Sequence, residues 1–455
     1  FKNHDDFSYY HLTYSLNLSQ NSLIIGTGSL GYGFRTGSSL FYFHSLLYMP
    51  YIKYYLFHLG PFIVFVFFNY TIFFKIINKI KYNNINFIYF FLLLCFTFVN
   101  VVFYRIAEHG VDRSAQILIL LIFVIFFEII SKNKNNVTSA EINHLLVLIF
   151  LAASMKVIYF IYFLLIPIII IKNNISKYFI DKKNLIIILL LLLSLLPTLL
   201  NNYLSTGCFL YPAHSTCVGK VSWSIPKEEV KAMKVHYEWW SKAGGGPGYK
   251  SDIPKEEYVK NFIWVKNWIE RHFFNKVSDT LLGILLISLI YFLVFKSKRT
   301  KKKIKRNFLL IYILFLFLFI EWFVNHPSMR YGGFVLFALP VFAFFSLIME
   351  KFIITKKRLA LITYVMILIT FIIYNFRNVV RLEKEINFYG YKILSTPYFK
   401  IEEVKSEEIY SIGKFKIYSP LNDKMCWASK TPCSYRKNIK VVEKNNFKIV
   451  LRNDQ

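Results

Sequence analysis

Ten stretches of this chain are too apolar to be left in water, and they limit what it can fold into. They lie roughly at 55–75, 87–104, 116–130, 144–155, 157–171, 185–200, 278–296, 308–323, 333–349 and 358–375. Several are shorter than the ~20 residues an untilted membrane helix needs. With 55% hydrophobic residues, 48 Phe and a mean hydropathy of +0.43, the chain reads as an all-α polytopic membrane protein. A backbone in lipid must satisfy its own hydrogen bonds, which is why these runs are read as helices. The net charge of +29 does not point to nucleic acid. The charges fall in short loops between apolar runs, where topology signals belong. The heavy use of Ile, Lys, Asn, Phe and Tyr is read as compositional drift and carries no functional weight. The chain opens at Phe1 without a visible signal peptide, and a further span is expected immediately before it.

The run 144–171 decides the topology. As a single span it would bury Lys156, at about 2.5–3.5 kcal/mol. As two short helices turning at Ser154-Met155-Lys156 it puts that charge at an interface. Loop charges favour the hairpin. The loops 75–86, 131–143, 172–184, 296–307 and 350–358 carry Lys75, Lys79 and Lys81; Lys132 and Lys134; Lys172, Lys177, Lys182 and Lys183; a basic run from Lys296 to Arg306; and Lys351, Lys356, Lys357 and Arg358. The short loops 105–115 and 324–332 carry only Arg105, Arg113 and Arg330. The basic set is cytoplasmic by the positive-inside rule, and the sets alternate only if 144–171 turns back.

That topology divides the chain into five parts. These are a first exoplasmic loop at 1–50, a transmembrane bundle at 51–200, a large exoplasmic loop at 201–277, a second bundle at 278–375 and a C-terminal exoplasmic domain at 376–455. In the first loop, one or two helices are expected on the membrane surface. Its IIGTGSLGYG run fits neither a Walker loop nor a dinucleotide fingerprint and reads as plain loop. In the large loop, Lys227-Glu228-Glu229 after Pro226 marks a helix start. IPKEEYVKNFIWVKNWIERHF reads as a second, amphipathic helix. In the tail, KFKIYS, NIKVVEK and NFKIVLR alternate as strands of a small β-containing domain. Disulfides Cys208–Cys217 and Cys426–Cys433 are expected on the exoplasmic side, because those offsets match no zinc spacing. Cys95 lies inside a span.

The same face gathers the polar residues able to do chemistry. His4-Asp5-Asp6 stands at the mouth of an apolar protein, where two adjacent carboxylates suit a general base with an orienting or metal-binding partner. Glu108, His109, Asp112 and Arg113 crowd the next loop, as a metal site, a binder of sugar hydroxyls, or a self-neutralising surface. Lys156 and Arg330 are cations at helix ends suited to a phosphate, with Tyr331 and His326 beside Arg330. The residues leave open whether a divalent metal (Mg or Mn) takes part.

HDDFSYYH resembles the Asp-Asp/Asp-Glu motif of the GT-C glycosyltransferases, the superfamily of the aminoarabinose and protein O-mannosyl transferases. The short paired helices with a lysine at their turn (LAASMK) are similar to that group too. So is the Arg-Tyr pair opening a late span before a proline (RYGGFVLFALP). TGCFLYP, WSIP and CWxxxxPC resemble uncharacterised bacterial members. The chain departs from the pattern in lacking the usual first span and in its second acid, Asp in place of Glu. The resemblance implies transfer of a sugar from a polyprenyl-phosphate-type lipid-linked donor to a glycan, lipid or protein acceptor, with inversion, on the periplasmic side of a bacterial inner membrane. It implies Asp5 or Asp6 as base and Lys156, Arg330 and Tyr331 at the donor phosphate. The alternatives are a polysaccharide polymerase relying on loop arginines, and a flippase or transporter of lipid-linked sugars. The latter class carries ionisable residues near the midplane of its spans, which this chain lacks.

Overall fold

The computed structural model describes residues 10–132, 136–173, 175–245, 251–299, 309–390, 404–421, 426 and 429–453, without the side chains of 106–109, 176, 177, 385 and 389. The first segment holds helices α1 (Leu12–Gln20) and α2 (Ser39–Leu46), with the short strand β1 (Ile24–Ile25) between them. The first apolar group is α3 (Leu59–Lys81), α4 (Phe87–Val102), α5 (Ile106–Ile130), α6 (Ser139–Met155), α7 (Leu165–Asn173) and α8 (Lys182–Thr206). The long connection carries α9 (Lys227–Ser241), α10 (Lys255–Tyr258) and α11 (Trp264–Trp268). Then come α12 (Ser278–Phe295), α13 (Leu309–Asn325), α14 (Gly333–Met349) and α15 (Lys356–Tyr389). Strands β2 (Ser406–Ile412), β3 (Phe415–Pro420), β4 (Ile439–Lys444) and β5 (Phe447–Arg452) close the chain.

Every apolar stretch expected from the sequence is helical. Among the described residues, five helical segments are long and apolar enough to cross a membrane: Tyr55–Lys81, Gly110–Ile130, Lys182–Thr206, Trp264–Phe295 and Lys356–Phe388. Shorter apolar helices lie at Phe87–Val102, Ser139–Met155, Val157–Asn173, Leu309–Asn325 and Gly333–Met349. α4 is apolar all round and buried from Phe87 to Asn100, so it forms the centre of the bundle. Its few polar groups are satisfied internally: the Thr97 hydroxyl meets Tyr291 at 2.6 Å and Thr370 at 3.0 Å. α8 is the opposite case. Its Ile186, Leu189, Leu190 and Leu193 are exposed, an apolar surface suited to lipid.

The turn within 144–171 is present. α6 stops at Lys156, whose backbone is extended (φ −155°, ψ 128°), and a 3-10 segment Val157–Leu164 leads into α7. The rings of Phe150 and Phe163 lie 4.9 Å apart. In a continuous helix their positions would be separated by about 20 Å. The chain therefore folds back at Lys156.

Contacts sort the helix ends into two groups. At one end Lys75 pairs with Glu128 at 2.7 Å, Lys356 donates to the Lys81 carbonyl at 3.1 Å, and Ser297 donates to the Ile353 carbonyl at 2.8 Å. This end collects the described parts of the basic loops. At the other end α4, α5, α6, α14 and α15 meet through Arg113, Lys156, Arg330 and Arg377.

Some boundaries differ from the sequence reading. Segment 105–115 is not a loop, since α5 begins at Ile106 with a break at Gly110. The amphipathic run at 253–273 is not one helix: Asn261 and Phe262 have φ of 50° and 57°, which ends α10 and separates it from α11. From Trp264 the chain runs through a π-helical segment (Ile269–Val277) into α12. α15 continues to Tyr389, so the strand-bearing part starts at Ser406 rather than at 376.

The tail does contain a small β-structure. β4 and β5 pair antiparallel around Asn445-Asn446, both with positive φ, as a tight right-twisting hairpin requires. β1 adds to β5 in parallel, Ile24 opposite Lys448, so the first segment is stitched to the tail. The glycine run belongs to this seam. A Cβ on Gly26 would sit 2.3 Å from the Val450 carbonyl oxygen, and one on Gly28 would sit 2.6 Å from that of Ser205. These glycines permit close packing, and the run, read from sequence as plain loop, holds β1 and two short 3-10 turns. Cys208–Cys217 and Cys426–Cys433 are disulfide-bonded, and Cys95 is free and buried.

Candidate functional site

Asp112 organises the polar end of the bundle. Gly110 has φ 49° and ψ −120°, a conformation open to glycine, and a Cβ there would lie 3.2 Å from the His11 ring. The helix resumes after it, so Asp112 stands in the first turn of the continuous part, where the helix dipole favours a carboxylate. Gln116, one turn on, shares its face and donates to the carbonyls of Met329 at 3.4 Å and Arg330 at 3.1 Å. Those carbonyls belong to the 3-10 turn Met329–Tyr331, which precedes Gly332 (φ 100°) and α14. Trp322 Nε1 donates to the Ser328 carbonyl at 3.1 Å and Trp268 Nε1 donates to that of Pro327 at 2.7 Å, holding the approach to that turn.

Two cations meet on this carboxylate. Lys156 Nζ donates to Asp112 Oδ1, and Arg330 Nε donates to Oδ2 at 2.7 Å. Asp112 is buried, whereas the side chains of Lys156 and Arg330 remain 26% and 28% exposed. A carboxylate so placed fixes both cations and still leaves them approachable. Aromatic faces complete the setting. Lys156 Nζ lies 4.1 Å from the Tyr331 ring centre, and Arg330 Cζ lies 5.5 Å from the Trp240 ring centre. Trp240 comes from α9 and also packs 6.0 Å from Tyr331. A cleft runs beside the cluster, lined by Tyr159, Tyr162, Glu321, Trp322, His326 and Tyr331. The Tyr159 hydroxyl is buried with no hydrogen-bond partner among the described residues.

His326 sits 3.6 Å from Glu321. Burial, with the charges of Lys156 and Lys242, pushes its pKa down to about 4. Its imidazole is therefore neutral near pH 7, and the contact with Glu321 is not an ion pair there.

Of the residues singled out from the sequence, Asp112, Lys156, Arg330, Tyr331 and His326 come together. Arg113 does not join them: it donates to the Val102 carbonyl at 3.2 Å and lies over the rings of Phe103 and Phe334. Neighbouring positions on a helix point about 100° apart, which separates it from Asp112. His4, Asp5 and Asp6 lie outside the described residues, as do the side chains of Glu108 and His109. Among the described residues, no three His, Cys, Asp or Glu side chains gather to hold a metal ion. Sequence reasoning does not single out Trp240, Tyr159 or Gln116. Gln116 carries a signal, its i+4 spacing from Asp112; Trp240 has only its place in an amphipathic helix.

The chain belongs to the family described as Domain of unknown function (DUF8201), whose profile matches residues 3–337. The match takes in Asp112, Lys156, Trp240, Arg330 and Tyr331 and ends within α14. No curated protein and no solved structure matches the chain.

Proposed function

We propose that this member of the family is a membrane glycosyltransferase of the GT-C type. It takes a sugar from a polyprenyl-phosphate-type carrier and passes it to a glycan, lipid or protein acceptor. The observation carrying the reading is the convergence of Lys156 and Arg330 on the buried Asp112, at the helix ends opposite the basic loops. Two fixed, partly exposed cations suit a phosphate on which negative charge develops. In this reading all ten apolar helices span the membrane, and the cluster lies on the exoplasmic face of a bacterial inner membrane.

In the reaction, the acceptor oxygen attacks the anomeric carbon while the bond from that carbon to the phosphate oxygen breaks. The electron pair leaves with the phosphate, beside Lys156 and Arg330. The acceptor proton passes to Asp5 or Asp6, a role worth about 10²–10⁴-fold in rate. The chain emerges at His11 against Gly110, two residues from Asp112. Asp5 and Asp6 are five or six residues upstream of His11, a tether of about 20 Å at most. Asp112 takes a positioning role in this scheme, holding Lys156 and Arg330. A divalent metal at the acidic motif is compatible with this scheme.

The test uses the full chain reconstituted with prenyl-phosphate sugars. Asp5→Asn combined with Asp6→Asn should abolish transfer and leave membrane insertion intact. Transfer retained by the double variant would overturn the assignment.

A further inference from the structure

A second charged cluster lies apart from Asp112, where the first segment, α9 and the tail meet. Glu229, in the first turn of α9, faces three arginines. Arg35 Nη2 is 2.7 Å from Oε1, Arg436 Nη2 is 3.1 Å from Oε1, and Arg452 Nη1 is 2.5 Å from Oε2. Among the described residues, no second carboxylate lies within ion-pair distance of these arginines, so two positive charges are left over. Arg35 is fully buried, and the Arg452 side chain is 9% exposed.

Buried excess charge is unfavourable, so a structural staple of three bases on one acid is a costly arrangement. The arrangement of donors also goes beyond a staple. Arg452 Nε and Nη2 are buried and have no hydrogen-bond acceptor among the described residues. These two atoms form the side-on edge of the guanidinium, the fork that grips two oxygens of a carboxylate or phosphate. Arg35 spends its Nε on the Gly28 carbonyl at 2.9 Å and its Nη1 on the Tyr211 hydroxyl at 3.3 Å, which fixes its plane. The Tyr32 ring, at the surface, has Arg35 Cζ at 4.6 Å and Arg436 Cζ at 5.2 Å from its centre.

We propose that Arg35, Arg436 and Arg452 form a binding site for a phosphate-type oxyanion, with Glu229 holding the arginines in place. A phosphate carrying one to two charges matches the excess, and its tetrahedral oxygens suit the Arg452 fork. The phosphate is either free in solution or part of a lipid headgroup. The site does not depend on the glycosyltransferase reading.

The experiment uses the purified full-length protein and follows thermal unfolding. Inorganic phosphate is titrated in detergent against chloride of equal ionic strength. In parallel, nanodiscs of phosphatidylglycerol are compared with nanodiscs of phosphatidylcholine. Stabilisation by inorganic phosphate supports the site and assigns a free anion. Stabilisation by phosphatidylglycerol alone supports it and assigns a lipid headgroup. In either case Arg436→Gln should weaken the effect about tenfold, as expected for one charge-assisted contact. Arg452→Gln should abolish it, and if that variant does not fold, Arg436→Gln, at a partly exposed position, decides the matter. No stabilisation in either arm, or stabilisation unchanged in Arg436→Gln, overturns the proposal.

Discussion

Asp112 and Arg330, 218 positions apart in the chain, meet at 2.7 Å with Lys156 on the other carboxylate oxygen. Removing the shared carboxylate takes away a buried charge that both cations bond. Asp112→Asn should therefore destabilise the folded protein by about 2–4 kcal/mol, less than for a deep pair because both cations are about one-quarter exposed. Thermal unfolding in detergent checks this. A wild-type melting temperature in Asp112→Asn would mean that the cluster is held by its packing alone.

Arg330→Lys separates charge from geometry. A lysine keeps the positive charge but has no planar fork, so it cannot bond Asp112 and present further N–H groups in the same plane. On the proposed mechanism, transfer should fall by about 10²–10³-fold, chiefly in kcat, because the lost contact matters most as the phosphate leaves. The measurement is steady-state transfer with a lipid-linked donor. A rise in KM alone would assign Arg330 to ground-state binding.

Glu229 sets an acid limit on the seam between the first segment, α9 and the tail. Burial alone would raise its pKa, but Arg452 and Arg35 outweigh burial and lower it from 4.5 to about 2. A depressed carboxylate contributes stability that is complete above the unfolded value and is lost as pH falls through the folded one. Melting temperature should thus decline between pH 4.5 and about 2 in the wild type. In Glu229→Gln that decline should be shallower, from a lower starting point.

His326 acts in a different window. Its pKa is held at about 4 by burial and by Lys156 and Lys242, against 6.5 in the unfolded chain. Between those values the unfolded chain binds the extra proton, so stability falls as pH drops from 6.5 to about 4. His326→Gln should flatten the melting profile over that interval and leave the lower, Glu229-dependent interval unchanged. A profile unaltered by the substitution would place the titration elsewhere.

Much of the bundle is legible in the sequence because lipid leaves the backbone few options. The apolar runs are helical, and the turn expected at Lys156 is recorded in the Phe150–Phe163 contact. The strands around Asn445-Asn446 were legible from their alternation. The partners of charged groups were less so. The sequence leaves Asp112 open between a metal site, a binder of sugar hydroxyls and a self-neutralising surface, because its two cations come from distant segments and no local pattern announces their meeting. The break at Asn261-Phe262 was hidden by an amphipathic period that runs straight through it. The three-arginine cluster was invisible for a similar reason: Arg35, Arg436 and Arg452 are scattered through unrelated stretches and gain meaning only on Glu229.

The sidedness of the bundle can be tested with little disturbance to the protein. Four of the five cysteines are bridged, and Cys95 is buried in the centre of the bundle, so the native thiols are silent toward a polar reagent. Ser154 is a poor reporter although it lies near Lys156, because it is buried and bonded to the Ser39 hydroxyl at 2.8 Å. Ser222, between α8 and α9, and Ser131, in a basic loop, are both exposed. On intact cells a membrane-impermeant maleimide should label Ser222→Cys and spare Ser131→Cys, with both labelled after the membrane is opened. The reverse pattern would put the Asp112 cluster on the cytoplasmic face. It would also put both disulfides in a reducing compartment, where they do not persist. Labelling of both sites on intact cells would mean that the chain between them does not cross the bilayer an odd number of times, and the ten-span reading would fall.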